Sequence, residues 1–199
     1  YAGLAGFYLL RDPMENALPS KQYEIPILFQ HRTFENNGDL FYPPGDDDDF
    51  EAEFAGDIPV VNGKVYPYLE VEPRSYRFRL LNGSNNRTFN LRLFNEETGS
   101  YSDVPLLQQI GVDLGFLDEV VDVGPGGTTG PYGEIDSMLL SGAERADVVV
   151  DFSGYEGTTL TVKNNAEFPY AGEDSGPDVP SMGEMLQLRV TETVTEADE

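Results

Sequence analysis

Few side chains in this sequence are equipped for chemistry, and their types exclude most of it. There is one histidine, His31, in Phe29-Gln30-His31-Arg32-Thr33, and no cysteine. Ser-His-Asp catalysis would rest wholly on His31, and no Gly-x-Ser-x-Gly elbow accompanies it. The absence of cysteine removes disulfides, thiolate metal sites and thiol nucleophiles. A blue-copper centre takes two imidazoles and a thiolate, often with a weak axial Met, so Met182 and Met185 alone do not hold copper tightly. His31 reads as a strand-end residue making a local hydrogen bond.

Asp46–Asp49 with Glu51 and Glu53 would attract divalent cations. Consecutive residues point in different directions, however, and the spaced ligands and turn glycine of an EF-hand are missing. The segment reads as a solvated acidic loop. Gly124-Pro125-Gly126-Gly127-Thr128-Thr129-Gly130 is glycine-rich but no Lys follows it, so it reads as a flexible turn rather than a phosphate cradle. Asn82-Gly83-Ser84 and Asn86-Arg87-Thr88 are formal N-glycosylation acceptors, and Asn82 already has a turn role. With 36 acidic residues no carboxylate pair stands out. No catalytic, cofactor-binding or metal-ligating residue is nominated.

The elements that would position such groups are strands. Tyr76, Phe78 and Leu80 alternate with Arg77 and Arg79; Phe89, Leu91, Leu93 and Leu186, Leu188, Val190 repeat the two-residue period. These read as half-buried strands. Denser apolar runs at Ile25–Phe29, Val148–Phe152 and Leu160–Val162 suit strands buried in a sandwich, with Pro26 at an edge or bulge. Together 21 Gly and 14 Pro punctuate the chain often enough to favour an all-β sandwich over an α/β fold, and no long helix is predicted. Phe41–Asp57 and Asn164–Glu184 read as long loops.

Charge narrows the partners. Twelve basic residues against 36 acidic ones give −24, with nine Arg and only three Lys. Phosphate backbones would be repelled, which excludes nucleic acid. Acid spread through every segment suggests adaptation to high salt, where a screening length of about 3 Å at 1 M lets surface carboxylates coexist. No apolar run approaches the roughly 20 residues of a membrane-spanning helix. The N-terminus Tyr1-Ala2-Gly3-Leu4 lacks Met and a basic leader, so the chain is expected to be part of a longer one.

Val61-Asn62-Gly63-Lys64-Val65-Tyr66-Pro67-Tyr68-Leu69-Glu70-Val71-Glu72-Pro73-Arg74, then Tyr76-Arg77-Phe78-Arg79 and Leu81-Asn82-Gly83-Ser84-Asn85, resemble the middle domain of multicopper oxidases. The likeness is greatest to the group of spore-coat laccase and bilirubin oxidase. It continues through Arg87-Thr88-Phe89-Asn90-Leu91 and Ala143-Glu144-Arg145-Ala146-Asp147-Val148-Val149-Val150-Asp151-Phe152, in the family's order. Read physically, Asn62-Gly63-Lys64 supplies the positive-φ residues of a hairpin, and Glu144, Arg145 and Asp147 are expected to form a charge-paired corner at the entry to the Val148–Phe152 strand.

The resemblance implies an all-β, cupredoxin-like Greek-key β-sandwich. Residues 1–18 would be the last strand of a preceding cupredoxin domain plus linker, 19–193 the copper-free second domain, and 194–199 an acidic linker. Gly3–Pro13 resembles that last strand, and His31 stands where the family often has Asp. The parent would be a laccase-like enzyme that couples one-electron oxidation of phenolic, pigment or metal-ion substrates to reduction of dioxygen to water. Its copper, a blue site and a three-copper cluster, would lie in the first and third domains, with none in this chain. Those two domains would be its partners and the location extracellular or at the cell surface. The competing reading is a non-enzymatic acidic β-sandwich module that binds calcium or carbohydrate.

Overall fold

The computed structural model describes residues 4–43, 54–172 and 175–195. In chain order its strands are β1 (Glu24–Phe34), β2 (Leu40–Phe41), β3 (Ile58–Val61), β4 (Lys64–Val65), β5 (Tyr68–Val71), β6 (Ser75–Asn82), β7 (Phe89–Asn95), β8 (Leu107–Val112), β9 (Gly115–Val123), β10 (Thr129–Gly130), β11 (Gly133–Glu134), β12 (Met138–Leu140), β13 (Arg145–Asp151), β14 (Thr159–Asn164) and β15 (Glu184–Val190). One sheet runs β4-β3-β1-β6-β13-β8-β9 with β2 also beside β1, and the second runs β12-β7-β14-β15-β5. The pairings β1–β6 and β5–β15 are parallel, so both sheets are mixed. This is the all-β sandwich that the two-residue period predicts, with the Greek-key arrangement that the resemblance implies; helical structure among the described residues is limited to short 3-10 turns.

The core forms where the inward faces meet. Tyr76 and Phe78 of β6 pack edge-on against Phe152, with ring centroids 5.9 and 6.2 Å apart. Phe29, Phe89, Leu91, Val148, Val150, Leu160, Met182 and Met185 are buried around them. Each such side chain removed from water contributes about 1.5–3 kcal/mol. The Asn62-Gly63 turn joining β3 to β4 has φ of 48° and 78°, the left-handed values a tight hairpin demands. Pro26 lies before the stretch of β1 that pairs with β3, which begins at Phe29. Its missing N–H falls on the open side of the strand, where the Asn62 side chain caps Leu28 N–H and the Pro26 carbonyl at 2.8 and 2.9 Å.

The outer face of β6 departs from the expectation of a half-buried strand. Arg77 is 1% exposed and Arg79 is only partly exposed. The segment before β1 folds over that face and brings Glu15, the start of β1 brings Glu24, and β13 brings Asp147 opposite Arg79. Alternation predicted the direction of these arginines correctly, but the acids that cover them come from remote positions.

Candidate functional site

His31 is buried on β1, in the stretch paired with β3, opposite Pro59. Its Nδ1 accepts a hydrogen bond of 2.8 Å from the Gly56 N–H, which fixes the neutral tautomer with its proton on Nε2. Burial, reinforced by the nearby Arg87 and Arg32 cations, pushes the imidazole down to about 4. Nε2, Ser84 Oγ and both amide atoms of Asn86 are buried without a well-formed hydrogen bond, although the Asn86 side chain lies near enough to the imidazole to favour its charged form weakly. Such an imidazole is a fixed acceptor rather than a proton carrier at neutral pH.

Gly56 is the centre of a knot joining the two long loops. Its carbonyl accepts from Arg87 Nε at 2.9 Å, and Arg87 grips Asp178 with two hydrogen bonds of 2.6 and 3.0 Å. The Arg87 guanidinium also lies 5.2 Å from the Phe168 ring centroid. Burial opposes the Asp178 charge, yet the Arg87 hydrogen bonds hold its carboxyl below the ordinary range. Asp57 reinforces the tie by accepting from Thr33 Oγ1 at 2.8 Å, and its carbonyl accepts from Ser181 Oγ. A Cβ on Gly56 would stand 2.6 Å from Arg32 backbone carbon, so only glycine fits there.

The second polar cluster lies on the outer face of β6. Arg77 binds Asp147 through Nε and Nη2 at 2.8 and 2.6 Å, and Arg79 Nη1 reaches Asp147 at 2.8 Å. Glu15 accepts from Arg77 and Arg79 at 3.2 and 3.1 Å; Glu24 accepts from Arg79 at 2.9 Å and from Arg11 at 2.6 Å. Burial works against both glutamates, but the surrounding arginines hold them below the usual carboxylate range. Three cations and three anions balance: Arg77 and Arg79 are withdrawn from water with the acids, and Arg11 closes the charge balance from the solvent side. A cleft of about 860 Å³ opens beside the cluster.

The remaining sequence candidates resolve differently. Met182 and Met185 are fully buried core residues. Glu144, Arg145 and Asp147 do not form the expected mutual corner: Glu144 caps the Ser141 N–H, Arg145 pairs with Asp113, and Asp147 joins Arg77. Glu144 precedes β13, and Arg145 and Asp147, though two residues apart on one face of that strand, are each drawn to a partner on another strand or turn. Asn82 is fully buried, donating to the Arg87 and Leu140 carbonyls at 2.7 and 2.8 Å, so in the folded chain it presents no glycosylation acceptor.

The glycine-rich turn is tied rather than loose: Gly124 N–H donates to Ile135 O, Thr128 N–H to Asp122 O, and Gly126 N–H to Glu134 Oε1. That carboxylate adds to the case against phosphate. The acidic run Asp46–Asp49 with Glu51 lies outside the described residues, as does Glu53. Among the described residues no group of three or more His, Cys, Asp or Glu is arranged to hold a metal ion. The sequence carries a signal for the cluster, arginine at strand positions whose alternate residues are apolar, and none for the knot, because Arg87 lies in the connection between β6 and β7.

No family model matches the chain. A laccase of Haloferax volcanii is 43% identical over 197 residues, covering 98% of this chain and 30% of the relative. A Bacillus subtilis laccase is 38% identical over 209 residues, covering 100% of this chain and 36% of the relative. A multicopper oxidase from the hyperthermophile Aquifex aeolicus superposes with a TM-score of 0.64 at 28% identity, covering 89% of this chain and 33% of that one. The chain is a cupredoxin-like domain homologous to laccases and other multicopper oxidases. It spans about a third of the length of these relatives.

For a cupredoxin-like domain the natural question is whether the described side chains fit copper. They do not. The one imidazole has its Nδ1 committed to Gly56, no thiolate exists, and the two methionines of the loop before β15 and of its start are sealed in the core. The loop before β15 is instead held by the Arg87–Asp178 pair.

No helix of the described residues is long and apolar enough to cross a membrane.

Proposed function

We propose that this chain is the copper-free middle domain of a laccase-like multicopper oxidase, with residues 19–193 as the domain, residues 1–18 ending a preceding cupredoxin domain, and 194–199 a linker. Its work is architectural: it spaces a first and a third domain so that their faces meet around a three-copper cluster, while electrons pass from substrate to dioxygen without entering it. Substrates of the whole protein are phenols, pigments or reduced metal ions, and its setting is extracellular or at the cell surface, in high salt.

The observation that carries this reading is the Arg87–Asp178 ion pair that holds the loop before β15, a loop without imidazole or thiolate, in a sandwich homologous to laccases. In copper-bearing cupredoxins that loop supplies Cys and His; here it supplies Asp178 to Arg87. The charge of −24 supports the high-salt setting. The test is copper stoichiometry on two proteins. The 199-residue chain is expected to bind no stoichiometric copper and to show no blue absorption band, and the full-length protein is expected to show both. Tight copper binding by the chain alone would overturn the proposal. A large thermal stabilisation of the chain by calcium, beyond that of matched ionic strength, would favour the binding-module reading instead.

A further inference from the structure

The two sheets do not close completely on each other. A cavity of about 30 Å³ lies between them, bounded on one side by Phe78 of β6 and by Val148 and Val150 of β13, and on the other by Leu91 of β7 and by Leu186 and Leu188 of β15. All six side chains are 5% exposed or less. Protein interiors are packed as densely as organic crystals, so voids of this size are few in a domain.

Room alone would admit a water molecule, since about 10–15 Å³ suffices, but a buried water needs two to four polar partners. The cavity supplies none. Its lining is hydrocarbon except at Arg92, and that guanidinium is held by Asp136 at 3.0 Å and by the Tyr101 ring, whose centroid is 4.8 Å away. The buried polar atoms that lack a well-formed hydrogen bond belong to His31, Ser84 and Asn86, none of which lines the cavity. A void of that kind stays dry and takes apolar occupants.

We propose that this cavity is a binding site for one small apolar gas molecule, of the size of dioxygen or krypton. Its valines set the limit: Val148 is one methylene smaller than isoleucine, and that group would occupy the space. A second void of about 10 Å³ lies against Tyr101, Pro105 and the half-exposed Asp136, and Leu93 and Leu107 line both. Leu107 is only partly buried. Rotamer changes of these two leucines join the voids and give a gas molecule its path inward. The site follows from packing alone and is independent of the oxidase reading.

Crystals of the full-length protein pressurised with krypton test this. Anomalous scattering is expected to show one peak in the core of this domain, bounded by Val148, Val150 and Leu186. Val148→Ile is expected to lose that peak. Val71→Ile, at a buried core valine that does not line the cavity, is expected to keep it. No peak at this place in the unsubstituted protein overturns the proposal, and so does ordered water there in unpressurised crystals. A peak that survives Val148→Ile unchanged also overturns it. Should Val148→Ile fail to fold, the unsubstituted protein decides alone, by the presence or absence of its peak.

Discussion

Arg77 and Asp147 meet side by side on the outer face of neighbouring strands, joined by two parallel hydrogen bonds of 2.8 and 2.6 Å with the arginine 1% exposed. Asp147 stands directly opposite Arg79 in the β6–β13 ladder, so one carboxylate serves two guanidinium groups. Removing it leaves buried positive charge uncompensated. Asp147→Asn is expected to cost about 3–5 kcal/mol. The pair Arg77→Met with Asp147→Leu is expected to cost clearly less than the single change. Denaturant unfolding of both variants checks this, and a neutral Asp147→Asn result refutes it.

His31 gives the chain a distinct acid limb. Its folded pKa is pushed below 6.5 to about 4, so the unfolded chain binds the proton more readily between those values. Stability from this source is complete above about pH 6.5 and declines as pH falls toward 4, by about 3 kcal/mol at 1.36 kcal/mol per pKa unit. The carboxylates Glu15, Glu24 and Asp178, held below their ordinary range, lose their contribution at lower pH. His31→Gln is expected to flatten the limb between pH 6.5 and 4 and leave the steeper fall below it, as read from unfolding midpoints across pH.

Breaking the loop tie should free loops without melting the sheets. Asp178→Asn removes the carboxylate from Arg87, and a hydrogen bond to a charged group is worth about 1.5–3 kcal/mol. Residues 164–172 and 175–183 are expected to become cleavable by protease. Amide protection in β6, β7 and β13 is expected to persist. Simultaneous loss of protection in those strands would mean the knot belongs to the global fold.

Gly56 admits no side chain. An added Cβ would approach the Arg32 backbone to 2.6 Å, and the segment would have to withdraw from His31 and Arg87. Gly56→Ala is expected to destabilise by roughly 1–3 kcal/mol. It should also raise the His31 pKa toward its ordinary value, measured by proton NMR titration of the single imidazole.

Salt should act on the surface and spare the cluster. The excess of 36 acidic over 12 basic residues predicts that the 199-residue chain loses folded signal at low ionic strength and regains it near 1 M, where the screening length is about 3 Å. Circular dichroism against salt concentration checks this; a salt-independent signal contradicts it.

What could be read in advance follows from what is local. The alternation Tyr76, Phe78, Leu80 and the Asn62-Gly63 turn announced strand and hairpin, because period and positive φ are properties of neighbouring residues. β1 runs on to Phe34, past the predicted end of its apolar run, because buried His31 pairs across to Pro59. That pairing joins residues 28 positions apart and leaves no mark in a local window. Glu15 and Glu24 lie still farther from Arg77 and Arg79, and nothing distinguished them among the many acids. Arg87 looked like part of a turn, yet its carboxylate partner lies in the last long loop.

At least seven of the nine arginines contact a carboxylate, and Arg77, Arg79 and Arg87 are largely enclosed. Positive charge is thus concentrated in joints, and the net negative charge is left to the outward-facing acids. Substitutions that add or remove outward-facing acids are accordingly expected to shift the response to salt while leaving these joints in place.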